Sequence, residues 1–218
     1  MKILALEFSS PQRSVAVFNP DTDVTAEVLD TGIGHTMKPF ALIESALKQA
    51  GLEREQIEAI VVGLGPGSYT GIRAAIALAQ GWQLARNLKL CGISSVECLA
   101  TQEAAERSAG KFNVAIDAQR GEIYLATYEV VAHNLRGIST LRIVSAEAIQ
   151  LSEQAGGAWI GPEVTRWFSG GRIVFPRAST LAHMAVETGF GSGEKLEPIY
   201  LRETKFVKAP RPRIILPG

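Results

Sequence analysis

The chain has 218 residues, with 22 basic and 22 acidic side chains, so its formal net charge is zero. That length holds one large domain or two small ones, and the even charge excludes a global field that would draw it to nucleic acid or a membrane surface. No apolar run reaches the ~18 residues of a membrane span, and MKILALEFSS has neither the apolar core nor the cleavage site of a signal peptide. The two cysteines, Cys91 and Cys98, fall in a strand and a helix pattern and read as reduced core residues, so a cytoplasmic location is expected.

Lys2–Phe8 alternates and is rich in β-formers; Val15–Phe18 and VTAEVLD follow after turn sequences, giving a three-strand meander. HTMKPFALIESALKQAGL then reads as a helix, with Thr36 as N-cap, Pro39 in the first turn and Gly51 as the stop. Met37, Phe40, Ile43, Leu47 and Ala50 recur at helical spacing. AIVVG reads as a buried strand, and GLGPGSYTGIR, Gly63–Arg73, turns it sharply into a helix that Ser68 or Thr70 can cap.

That helix runs to about Asn87 and has a wide apolar surface. Arg73, Gln80, Gln83, Arg86 and Asn87 share one arc, while Gly71, Ala74, Ala75, Leu78 and Gly81 are small or apolar. A helix on one sheet needs an apolar stripe only ~100° wide. The excess predicts a second, closely approaching surface, either another helix of this chain or a partner.

KLCGI gives the next strand, and a helix runs from about Ser95 to Arg107. Then the plan restarts: strand Lys111–Asp117, turn, strand EIYLATYEV and a third strand within LRGISTLRIV. A helix capped by Ser145, strands AWIG and RIVF, and a last helix STLAHMAVETG complete it. The order β-β-β-α-β-α occurs twice and makes Glu7 and Asp117 equivalent, each an acid at a strand end facing a cleft between two lobes. Residues 204–218 form a basic, Pro-containing tail with Lys205, Lys208, Arg211 and Arg213. A solvated end and an RNA-phosphate contact both suit such a run.

Acids at strand ends suit Mg²⁺ and phosphate chemistry, but the supporting parts are thin. GPGSYTG is not GxxxxGK[ST], and GGAWIGP offers only a lone Gly-Gly. His35, His133 and His183 are far apart and form no HExxH pair; Ser68 lacks the GxSxG setting of a hydrolase.

GLGPGSYTGIR and its small-residue helix, with LALEFSS, GHT, GISSVECLA, IDAQRGEIY and EPIYLR in order, resemble the bacterial TsaB (YeaZ-type) family over essentially the whole chain. The resemblance implies a duplicated actin-like, RNase H-like (ASKHA) α/β fold of two lobes, each with a mixed sheet and flanking helices. Residues 1–108 would form the first lobe and 109–203 the second, smaller one. It implies a cytoplasmic, non-catalytic paralogue of TsaD, needed for threonylcarbamoyladenosine in tRNAs reading codons that begin with adenine. Such a protein pairs with TsaD, works with the ATPase TsaE, meets tRNA through the complex, and homodimerises when alone. The implied interface is Phe40, Ile43 and Leu47 of the first long helix with Gly71, Ala74, Ala75, Leu78 and Gly81 of the glycine-loop helix.

No cofactor or metal of its own is implied; ATP and Mg²⁺ would enter only in the assembled complex. Glu7, Ser9 and Asp117 remain the candidates for any nucleotide contact. Glu7 stands where most members have Asp, and Gln119 where many have Arg, which disfavours independent nucleotide chemistry. The alternative is a self-sufficient ATPase or small-molecule kinase using Glu7 and Asp117.

Overall fold

A computed structural model describes residues 1–22, 24–31, 38–150, 156–190 and 196–202. Thr36 and Met37, and residues 151–155 of the expected Ser145-capped helix, lie outside them, as does the basic tail. The first half carries strands β1 (Ile3–Glu7), β2 (Arg13–Asn19) and β3 (Val24–Asp30), then helix α1 (Pro39–Ala50) and β4 (Ala59–Gly63). Helix α2 (Tyr69–Arg86), β5 (Lys89–Ile93) and α3 (Ser95–Ala105) follow. The second half runs β6 (Gly110–Asp117), β7 (Glu122–Val131), β8 (Asn134–Gly137), β9 (Arg142–Ser145), α4 (Ala146–Gln150), β10 (Ala158–Gly161), β11 (Arg172–Ile173) and α5 (Ala178–Thr188).

The duplication is explicit in the topology. The first sheet has the order β3-β2-β1-β4-β5, and the second β11-β10-β6-β7-β8 with β9 also on β7. Read from the other edge, the second order is the first: a meander on one side of a central strand and two parallel strands on the other. β1 and β6 pair antiparallel with β2 and β7 and parallel with β4 and β10. Glu7 and Asp117 therefore end equivalent central strands.

The strands expected at KLCGI and RIVF are present as β5 and β11, so each half carries one strand more than the repeated β-β-β-α-β-α order, and only a 3-10 turn (Val164–Arg166) stands between β10 and β11. The single strand expected in LRGISTLRIV is split into β8 and β9, which pair with different stretches of β7. The break is a local detour around Thr127: its carbonyl accepts from the Ile138 and Ser139 N–H groups, and its own N–H donates to the Ser139 hydroxyl.

Both faces of the first sheet are covered, so its strands are apolar on both sides. Leu4, Leu6, Val15, Val17, Ile60, Val62 and Leu90 face α1 and α2. Their strand neighbours Ile3, Ala5, Ala16, Phe18, Ala59, Val61 and Cys91 face Ala178, Leu181, Ala182 and Ala185 of α5. In return, Val96, Leu99 and Ala100 of α3 pack on Phe112, Val114, Ile116 and Ile160 of the second sheet. The two sheets thus use separate stretches of the chain, Ile3–Ile93 and Gly110–Ile173, but their covering helices do not. The last helix of each half covers the sheet of the other.

α5 is also capped by the lobe it docks on. Arg177, its N-cap, makes no side-chain cap bond. Instead Ser14 accepts from the Ala178 N–H at 2.7 Å, and Glu27 accepts from the Ser179 N–H at 3.2 Å and the Ser179 hydroxyl at 2.9 Å. Arg177 also bonds to Glu27. Glu27→Ala is expected to lower unfolding stability by about 1–3 kcal/mol, read by urea titration, because a buried acceptor serving several donors is lost. A change within 0.5 kcal/mol, roughly the scale of ordinary surface substitutions, would show that the cap is not needed.

Candidate functional site

The chain leaving β1 runs directly beneath the loop joining β4 to α2. The Ser68 N–H donates to the Ser9 carbonyl at 2.6 Å. A Cβ on Gly67 would fall 2.1 Å from that carbonyl oxygen, and one on Gly71 2.0 Å from the Phe8 carbonyl oxygen. Only glycine permits backbones this close. Ser68 is the N-cap of α2, accepting from the Gly71 N–H at 3.3 Å. GPGSYTG is therefore a clamp on the exit of the central strand.

Glu7 sits inside that clamp and is 0% exposed. One carboxylate oxygen accepts from the Ser9 N–H at 2.7 Å and the other from the Ser95 hydroxyl at 2.8 Å. Ser95 Oγ accepts in turn from the Gly65 N–H at 3.1 Å. Gly63 provides the space, since a Cβ there would lie 1.9 Å from Glu7 Oε2. Burial pushes the Glu7 carboxyl above its ordinary 4.5, with the Ser9 and Ser95 bonds pulling the other way.

A carboxyl raised in the folded state favours the protonated native form. Its contribution to stability is present below the unfolded value and is lost as pH rises through the folded value. Glu7→Gln is therefore expected to flatten the decline of stability above the ordinary 4.5, by up to about 1.4 kcal/mol per pH unit. Urea midpoints across a pH series read this; unchanged slopes would refute it. Glu163 leaves a residual slope of the same sign, because burial and then the Asp117 charge raise its carboxyl too.

Between the lobes lies a cleft of about 1300 Å³. Ser9, Arg13, Ser68, Tyr69 and Arg73 line it from the first lobe, and Asp117, Arg120, Glu163 and Arg166 from the second. Of the three candidates for nucleotide contact, Ser9 and Asp117 reach the cleft; Glu7 points into the core beneath it. Asp117 accepts from the Gln119 N–H at 2.7 Å and pairs with Arg166 at 2.6 Å. Glu163 Oε2 is buried with no hydrogen-bond partner among the described residues. The two equivalent acids thus do not converge on one point, and no group of three or more His, Cys, Asp and Glu among the described residues could hold a metal.

Leu196 and the EPIYLR segment that follows it strap the lobes together. Leu196 is buried in the first core, Ile199 N–H donates to the Leu64 carbonyl, and Arg202 bonds to the Ala118 carbonyl and to Glu122. Tyr200, between them, stands at the cleft mouth.

The second feature is the outer side of the α1–α2 layer. Ile43, Leu47, Gly71 and Ala75, four of the eight interface candidates, are buried in the first lobe itself. Ala74 and Leu78 are half-buried, and Phe40 and Gly81 are exposed. Ala41, Ala77 and Ala85 join them on the surface, with Leu84 90% exposed. Leu84 was not among the sequence candidates, although it follows Ala77 and Gly81 at helical spacing.

Comparison with known proteins agrees with this architecture. A family model described as TsaD, tRNA N6-adenosine threonylcarbamoyltransferase, matches residues 32–204. The chain belongs to that family. Within the TsaD family its likeness is to the TsaB (YeaZ-type) members. It is 29% identical to the tRNA threonylcarbamoyladenosine biosynthesis protein TsaB of Escherichia coli, over 93% of this chain and 95% of that one. The corresponding figures for TsaB of Haemophilus influenzae are 27%, 96% and 98%. YeaZ from Pseudomonas aeruginosa superposes with a TM-score of 0.75 at 25% identity, over 92% of this chain and 99% of that structure. Among the described residues, no helix is long and apolar enough to cross a membrane.

Proposed function

We propose that this chain is a non-catalytic subunit of the machinery that makes threonylcarbamoyladenosine in tRNAs reading codons that begin with adenine. It docks on a TsaD-type enzyme through the outer face of α1 and α2. A TsaE-type ATPase joins the pair, and alone the chain homodimerises through the same face. The observation that carries the docking is Leu84, a large apolar side chain 90% exposed on a helix whose opposite side already fills the core. Phe40, 58% exposed on α1, adds to the same layer. Small residues at Ala77, Gly81 and Ala85 let a partner helix approach closely.

The absence of a catalytic role is supported by the acids. Glu7 is a buried latch under the glycine loop, and Asp117 is neutralised by Arg166. Light scattering after size exclusion, on the chain alone and mixed with the TsaD-type protein of its own cell, tests the proposal. A one-to-one complex is expected, with any homodimer dissolving on mixing. Failure to associate would sink it.

A further inference from the structure

We propose that the cleft rim formed by Tyr69, Arg73, Arg120 and Tyr200 binds an unpaired segment of RNA directly. A base stacks on the tyrosines and the flanking phosphates meet the arginines. Tyr69 and Tyr200 stack with ring centroids 5.8 Å apart. The Arg73 guanidinium lies 4.0 Å over the Tyr69 ring, and its Nε–H donates to the Tyr200 hydroxyl at 3.0 Å. The two rings come from the first turn of α2 and from the strap, so only the folded chain brings them together. Yet Tyr69 is 56% and Tyr200 46% exposed. Aromatic rings fixed in place but left open to water are poor core and a good stacking surface.

Cations outnumber acids around this platform, where Glu163 is the one lining carboxylate outside a salt bridge among the described residues. Arg166 and Arg202 are paired with Asp117 and Glu122. Among the described residues, no salt bridge to a carboxylate is made by Arg73 or Arg120, and both line the same cleft. Stacking platforms flanked by cations recognise single-stranded nucleic acid, whose unstacked bases offer a free face that a duplex lacks. The choice of RNA over DNA rests on the reading of the chain as part of a tRNA-modifying assembly.

The test is fluorescence anisotropy of the full-length chain alone with an RNA hairpin carrying an unpaired loop, and with a blunt RNA duplex of similar length. The hairpin is expected to bind more tightly than the duplex. Tyr69→Ala and Tyr200→Ala should each weaken hairpin binding by about tenfold or more, as stacking losses do, while Tyr69→Phe retains it. Both tyrosines are exposed, so thermal midpoints should stay unchanged. Equal binding of hairpin and duplex, or tyrosine variants that bind like wild type, would overturn the proposal. Loss of binding only on removal of the residues after Arg202 would place it on the tail and also overturn it. Displacement of the hairpin by ATP, with the same dependence on Tyr69, would assign the platform to a free nucleotide instead. None of these readouts involves the TsaD-type partner, so failure here leaves the docking proposal standing, and failure to dock leaves this one.

Discussion

Replacement of Gly71 by alanine is expected to cost on the order of 3–5 kcal/mol, at the far end of single-site effects. The added carbon would lie 2.0 Å from the Phe8 carbonyl oxygen and 3.2 Å from Ser68 Oγ. Neither neighbour can yield easily. The Phe8 carbonyl belongs to backbone held between the central strand and the clamp, and Ser68 Oγ caps the helix. Alanine is otherwise the better helix former, so intrinsic propensity alone would favour the change by about 1 kcal/mol. Thermal unfolding of Gly71→Ala decides between the two effects: a sharply lowered midpoint supports the clamp, and an unchanged or raised one would show that the loop can back away.

Leu84→Glu is expected to abolish complex formation with the TsaD-type partner while leaving the chain itself folded. At 90% exposure the leucine contributes little to its own lobe, so its replacement should fall within about 0.5 kcal/mol of wild type in unfolding. On a desolvated docking face, an unpaired carboxylate costs about 3 kcal/mol or more, a loss of over a hundredfold in affinity. Co-elution and light scattering read the association, and a thermal melt reads the fold. Normal pairing by Leu84→Glu would remove this face from the interface. Leu78, which the periodicity of α2 singles out, serves this test poorly, since it packs against the first core and a charge there would damage both properties.

Much of the architecture was legible because strand chemistry repeats. The runs LALE and VAID, each apolar and each closing on an acid, announced the two central strands, and the topology bears out their equivalence. Helix existence followed from apolar spacing and from punctuation such as Pro39 and Gly51, the latter in the left-handed region at φ 64°. What the spacing could not supply was the identity of the covering surface. The apolar faces of α3 and α5 show that they are buried, but nothing local says that each lies on the other half's sheet. The direction of Glu7 was equally hidden: its inward turn depends on Gly63 and Ser95, which are distant in sequence. The Tyr69–Arg73–Tyr200 group needed the strap in three dimensions, although Tyr69 and Arg73 lie one helical turn apart. Residues 23, 32–37, 151–155, 191–195 and 203–218 lie outside the described structure.

The exchange of α3 and α5 sets a constraint on how the chain is made. As it leaves the ribosome, the first sheet can acquire α1 and α2 at once, but its other face, with Ile3, Ala5, Ala16 and Val61, waits for Leu181 and Ala185. Those residues emerge only after the entire second sheet has been synthesised. A nascent chain stopped near residue 108 exposes a bare apolar sheet face, and α3 hangs from it with no sheet of its own to cover. Such surfaces are what aggregation and chaperones act on. Residues 1–108 made on their own are consequently expected to stay aggregation-prone, which the solubility of that fragment beside the whole chain reads.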